Sequence, residues 1–460
     1  MTGQAQVLCD AIRKPTTTRH VLVAPSALAA LPEALLAAGD RPPMIIADQN
    51  TMAAAGRQAT VILDQAGLSV AAPVILEGNP RVKPHASIAR DIARLIGERG
   101  VMPISVGSGV VNDLTKYAAE LAGVPYVSVA TAASMDGYAA SGAALLDNGF
   151  KRTLDCAPPV SIVADLDVIA RAPTCMAGWG YGDLAGKIVA GADWKLADAL
   201  GEEAINREPF ALVQDNVRGW LSQPGKIGRG DPAALGDLVN GLLVSGFAMQ
   251  AHGNSRPASG AEHLISHVWE MERLTYQGAP AAHGACVGIG TVAILALYEW
   301  LLSQDIDEDV IAQANGAASS PEQVEAEITA AFPDRHIADS ARTEMHAKLE
   351  RAARRSERLA TLAANWPALR EDLRRSCVPP DEMEGWLEKA GSPAHPADLG
   401  VPLTKLAAEY RRARLIRRRF TILDLLDDLG WLDRGVAALM ADDGFWGRRS
   451  KGQRRRAATA

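Results

Sequence analysis

The chain has 460 residues, 48% of them hydrophobic and 22% charged, with a formal net charge of −7. Such a profile suits a globular protein of two or three domains, and its mild acidity argues against a nucleic-acid partner. The N-terminus lacks the apolar core of a signal peptide, and no run reaches the roughly 20 uncharged apolar residues that cross a bilayer. The five cysteines (Cys9, Cys156, Cys175, Cys286 and Cys377) are scattered and lack CxxC spacing, as expected of reduced thiols in the cytoplasm.

From His20 onward, β-rich runs alternate with alanine-rich helical ones. HVLVAP, PPMIIADQ, AAPVILEG, VMPISVG, YVSVATAAS and VSIVAD read as strands, with helices in ALAALPEALLAAG, HASIARDIARLIGERG and VVNDLTKYAAELAG. The alternation predicts a parallel, doubly wound sheet whose ligands lie beyond the C-terminal strand ends. At one such end stands Gly107-Ser108-Gly109, where backbone could approach an anion at a helix N-terminus; a plain tight turn uses the same residues. Asp113, expected in the first turn of that helix, could simply complement its dipole, and Lys116 could reach a phosphate or stay solvated. Thr131, Ser134 and Asp136 follow another strand end and suit a ribose or a polar substrate, or equally a turn. Asp48 ends the second strand and could accept from adenosine ribose hydroxyls, favouring NAD over NADP.

After Asp165–Pro173 strand signals fade, and a mostly α-helical second domain is expected. The boundaries drawn are 1–168 for an α/β dinucleotide-binding domain, 169–445 for a helical metal- and substrate-binding domain, and 446–460 for a basic disordered tail. In GYGDLAGK, Asp183 and Lys187 lie one turn apart near a helix start; Asp193, Trp194 and Lys195 follow. The charged stretch from Ile337 to Arg375 reads as a solvated helix face, and the arginines from Arg411 to Arg419 as ion-pairing. Four of the nine histidines, His252, His263, His267 and His283, fall within Ala251–Gly290. In GAEHLISHVWEM the apolar positions recur at helical spacing, which sets His263 and His267 on one face, one turn apart. A divalent ion wants neutral imidazole with a carboxylate and an open position, although two such histidines also occur as ordinary helix residues.

Six motifs in order, GSGVVNDLTK, VATAASMDGY, GYGDLAGK, ADWKLA, SRPASGAEHLISHVWE and HGACVGIGT, resemble the sn-glycerol-1-phosphate dehydrogenases. The resemblance is to their bacterial AraM-like branch, within the superfamily of iron-containing alcohol dehydrogenases and dehydroquinate synthase, and it runs from about Arg19 to Asp433. It implies a dehydroquinate synthase-like fold and an NAD(P)-linked oxidoreductase interconverting dihydroxyacetone phosphate and sn-glycerol 1-phosphate. It implies metal ligands at Asp183, His263 and His283, for zinc, nickel or iron, with His267 touching substrate. Gly107, Ser108, Gly109, Val110, Val111, Asp113, Lys116, Thr131 and Ser134 match the dinucleotide site, and Asp136 a substrate contact. Lys187 and Arg256 are the candidates for the substrate phosphate. Ser108 replaces the usual middle glycine, and Ala140 stands where a serine is expected, beside Ser141, which puts one nicotinamide-side hydrogen bond in doubt. The expected setting is a cytoplasmic homodimer or larger homo-oligomer with a small phosphorylated substrate. The rivals are a glycerol dehydrogenase, a redox-neutral lyase on the same scaffold, and a non-catalytic binding protein.

Overall fold

The computed structural model describes residues 7–8, 10–11, 17–78, 81–147, 150–315 and 320–449. Each of the six expected strands forms: β1 His20–Ala24, β2 Pro43–Asp48, β3 Ala71–Leu76, β4 Met102–Gly107, β5 Val127–Ala130 and, after a hairpin, β8 Ser161–Asp165. They build one six-stranded sheet in the order β1-β8-β5-β4-β2-β3, and every pairing in it is parallel. The hairpin, β6 Ala143–Asp147 and β7 Phe150–Leu154, pairs antiparallel and was absent from the expected elements.

Strand alternation sorts the core onto two faces. Ile45 and Ala47 of β2 pack with Leu28, Leu31 and Leu35 on one side. Met44 and Ile46 pack on the other with Ile92 and Ile96 of helix α1 (Ala86–Arg99) and Leu114 of helix α2 (Gly109–Ala122). β2 and β4 are neighbours whose outgoing connections lead to opposite sides, so Asp48 and Gly107 end adjacent strands where the strand order reverses. That is where doubly wound sheets take ligands.

The later chain is helical: α3 Thr174–Ala199, α4 Pro232–His252, α5 Ala261–Met271, α6 His283–Leu302 and α7 Leu403–Leu415 are the elements that matter below. By backbone proximity the chain forms two compact units. One holds Met1–Leu184, Glu208–Ala258 and Lys389–Ser392; the other holds Ala185–Arg207, Ser259–Glu388 and Pro393–Ala460. This grouping puts the helical residues 208–258 with the sheet, where a single cut at 168/169 would put them with the other helices. α4 and α6 are long and apolar enough to cross a membrane, with mean hydropathies of 1.3 and 1.8. Their apolar windows are 72% and 89% buried inside the protein, which marks them as core helices.

Four arginines of the basic run pair with acids, as expected: Arg411 with Asp433 and Glu327, Arg412 with Glu272 and Glu409, Arg414 with Glu327 and Asp427, and Arg418 with Glu344; Arg419 donates to the Ser259 carbonyl instead. A tail starting at 446 is corrected by the structure. Trp446 is fully buried, with the Phe445 ring edge-on at 4.8 Å and its indole N–H donating to the Tyr410 hydroxyl at 3.2 Å. An indole sealed in this way orders the backbone around it. The basic run from 450 lies outside the described residues.

Candidate active site

α5 is pinned before its histidines are placed. Leu264, Ile265, Val268 and Trp269 bury one face of it. At its start the buried Asp193 carboxylate accepts the Ala261 N–H at 2.7 Å, while also accepting from the Tyr298 hydroxyl at 2.6 Å and the Ile422 N–H at 2.9 Å. A carboxylate at a helix N-terminus satisfies an otherwise orphaned donor and complements the dipole. The aspartate of the DWK run therefore fixes the helix that bears the histidines.

His263 and His267 share one face of α5 with ring centroids 6.0 Å apart. His283, the first residue of α6, lies 5.3 Å from the first ring and 6.0 Å from the second. Each imidazole is held through Nδ1: His263 by Glu262 at 2.6 Å, His283 by Glu270 at 2.7 Å, His267 by Glu270 at 3.3 Å. Carboxylates accept only, so each Nδ1 presents a proton to its partner, and Nε2 is the atom each ring can offer an ion or a substrate. Burial lowers His267 to about 4, against the upward pull of Glu270, so it is neutral at pH 7.

Asp183 sits on α3 and is fully buried. One of its oxygens accepts the Asp136 N–H at 3.0 Å, and the Asp136 carboxylate in turn accepts the Ser245 hydroxyl at 3.1 Å. Glycines on either side of Asp183 let α3 approach its neighbours. A Cβ at Gly180 would lie 2.1 Å from the Ala133 carbonyl oxygen, and one at Gly186 3.3 Å from His263 Cε1. Asp183, His263 and His283 each offer one donor atom, and these atoms all lie within 4.8 Å of one another. One carboxylate oxygen and two imidazole nitrogens, oriented by outer carboxylates, are a donor set that fits a divalent cation. Sequence reading missed Glu262 and Glu270; the signals were a glutamate adjoining the first histidine and another three residues after the second.

At the glycine turn, Ser108 precedes α2 in extended conformation and its carbonyl accepts the Asn112 N–H at 3.0 Å. Thr131 follows β5 and donates its N–H to the Gly107 carbonyl at 3.2 Å, so the two strand ends lie side by side. The Val111 side chain packs under Gly107, and Val110 is half-buried. Ser134 hydrogen-bonds Tyr138, a buried tyrosine whose hydroxyl also donates to the Ala132 carbonyl.

The charged candidates here hold the scaffold. Lys116 is buried and donates to the carbonyls of Gly137, Ala140 and Gly142 at 2.9, 2.7 and 3.1 Å. An ammonium has three donors, and these bonds occupy them, so the expected reach to a phosphate is corrected. Asp113 lies in the second turn of α2, not the first, and accepts the Ala144 N–H at 3.2 Å. Asp48 ends β2 as expected and caps the next helical turn through the Thr51 N–H at 2.8 Å. Lys187 and Arg256 are both fully buried.

Residues 22–173 match the family model described as iron-containing alcohol dehydrogenase. The chain is 28% identical over 388 residues to the glycerol-1-phosphate dehydrogenase [NAD(P)+] of Bacillus velezensis, covering 84% of this chain and 85% of that protein. It is 33% identical over 271 residues to the enzyme of the same name from Halalkalibacterium halodurans, covering 58% of this chain and 68% of the relative. Among solved structures, glycerol dehydrogenase from Schizosaccharomyces pombe aligns with a TM-score of 0.58 at 17% identity, over 91% of this chain and 90% of that one. The NADH-dependent butanol dehydrogenase A of Thermotoga maritima aligns with a TM-score of 0.56 at 14% identity, over 92% and 97%. At such identities the structures speak for the fold alone. Two-thirds coverage of a relative at one-third identity speaks for descent, and the chain belongs to the glycerol-1-phosphate dehydrogenase family.

Proposed function

We propose that this protein interconverts dihydroxyacetone phosphate and sn-glycerol 1-phosphate by hydride transfer with NAD(P). The convergence of Asp183, His263 and His283 supports that reading most directly, because these residue types with those outer partners would hold a divalent ion. Such an ion, when bound, supplies Lewis acidity toward a substrate oxygen. NAD(P), when bound, supplies or accepts the hydride.

The chain's own residues do the rest. The backbone N–H groups of Gly109, Val110 and Val111 open α2 and suit the dinucleotide phosphates, while Asp48 suits the adenosine ribose hydroxyls. Asp136, steadied by Ser245, suits a substrate hydroxyl. His267 is neutral at pH 7 with Nδ1 protonated, so its Nε2 can accept the proton of an alcohol and return it to the developing alkoxide. The phosphate needs a cation: Lys187 and Arg256 are candidates, and the exposed Arg417, whose charge acts on His267, joins them. No reading of the sequence had singled out Arg417.

The test is oxidation of NADH and of NADPH with dihydroxyacetone phosphate, before and after chelation, with zinc, nickel or iron restored and chiral analysis of the product. Turnover that follows the metal and yields the sn-1 isomer is expected, with unphosphorylated dihydroxyacetone much poorer. No turnover with any restored metal would dispose of this reading. Light scattering on the same preparation tests the expectation of a homodimer or larger oligomer.

A further inference from the structure

We infer that Glu270 is a positioning residue that sets the metal-facing His283 and the substrate-facing His267 together, with one carboxylate. The inference rests on the proposed roles of those two histidines. Glu270 follows His267 by three residues on α5, so both lie on one helix face. Beyond α5 a short hairpin, Thr275–Tyr276 with Ala279–Pro280, turns the chain back so that α6 opens on His283. The Glu270 side chain is only 8% exposed, and its two oxygens divide between the rings, Oε1 to His283 Nδ1 at 2.7 Å and Oε2 to His267 Nδ1 at 3.3 Å.

Because a carboxylate has no proton to give, both rings must present Nδ1–H to it. Nε2 is then the atom each ring offers: one to the ion, one to the substrate proton. A glutamine of the same shape cannot do this. Its amide has one accepting oxygen and one donating nitrogen, so one ring must reverse its tautomer or lose its partner. Glu262 by contrast meets one ring, His263, and also accepts the Gly260 N–H at 2.8 Å. Ser266 Oγ stands 3.4 Å from His283 Nδ1 and is a weak reserve partner for that ring only.

The experiment compares wild type with Glu270→Gln and Glu270→Ala, loaded with zinc. Metal dissociation is measured by competition with a chromogenic chelator, alongside kcat and KM for dihydroxyacetone phosphate. Glu270→Gln should weaken zinc binding about 10- to 100-fold, the usual cost of losing an outer-sphere partner. At saturating zinc it should still lower kcat more than it changes KM, because His267 is misoriented too. Added formate should restore part of both losses in Glu270→Ala. If Glu270→Gln does not fold, Glu270→Asp keeps the charge, shortens the reach and carries the same expected losses. Zinc affinity and kcat within twofold of wild type would overturn the inference, as would a wild type that binds no divalent metal. A wild type that binds zinc but leaves dihydroxyacetone phosphate untouched would sink the proposed function alone, and the zinc comparison would still decide the role of Glu270.

Discussion

The glycine turn after β4 and the histidine cluster at α5 and α6 place their chemistry in opposite ways. At the turn, charged side chains serve the protein's own backbone: Lys116 holds three carbonyls, Asp113 holds the Ala144 N–H and Asp48 caps a helical turn. What remains to meet a dinucleotide is main chain at a helix N-terminus, which any sequence with small residues can offer. In the cluster the side chains serve one another, two glutamates orienting three imidazoles. A charge near a backbone-built site is thus weak evidence of ligand contact. A charge paired with a histidine at helical spacing is strong evidence.

Removing a residue from the cluster should cost the most. Asp183→Ala or His263→Ala should lower kcat/KM by roughly 10³ or more, since Lewis-acid stabilisation amounts to several kcal/mol and each 1.36 kcal/mol is tenfold. Metal analysis of the purified variants should show the loss directly, while urea unfolding changes little once wild type is stripped of metal. Variants that keep both metal and rate would remove the cluster from the chemistry.

The reverse pattern is expected at the turn. Lys116→Met deletes an ammonium bonded to three carbonyls and should destabilise the fold by about 3 kcal/mol or more, because buried acceptors are left without donors. Metal content of the folded fraction should not change. A variant of wild-type stability with a raised KM for NADH would show instead that Lys116 touches the dinucleotide, and the contrast between the two regions would fail.

How much was legible follows the same division. The six strands of the sheet were readable as short β-rich runs alternating with alanine-rich helices, and the histidine pair from the spacing of GAEHLISHVWEM. The hairpin of β6 and β7 was legible too, since its strands flank Asn148-Gly149, a pair that favours two-residue turns; it was missed because ALL and FKRTL show little alternation. Lys116 could not have been read. Its partners are carbonyls 21 to 26 residues away, and a carbonyl leaves no mark in a sequence. Nor could the burial of Trp446, which depends on Tyr410 and on His395, whose ring is edge-on at 5.5 Å.

The smallest effect separates burial that serves chemistry from burial that serves packing. Glu409 on α7 is fully buried and accepts from Arg412 at 3.0 and 3.1 Å. Burial raises it from 4.5 to about 7, with Glu272 adding to the rise and Arg412 and Lys405 opposing it. Since the folded pKa lies above the unfolded one, the folded protein keeps a proton that the unfolded chain releases. Its contribution is therefore complete below about 4.5 and is lost as pH rises through about 7. Glu409→Gln cannot ionise and escapes that loss. Thermal melts of wild type and variant should coincide near pH 5, with the variant higher near pH 8 by a few degrees, on the order of 2 kcal/mol. A constant gap at both pH values would mean that the Arg412 pair, rather than desolvation, governs this carboxyl. The packing around α7 would then resemble the charge-paired histidine cluster more than the two-region contrast allows.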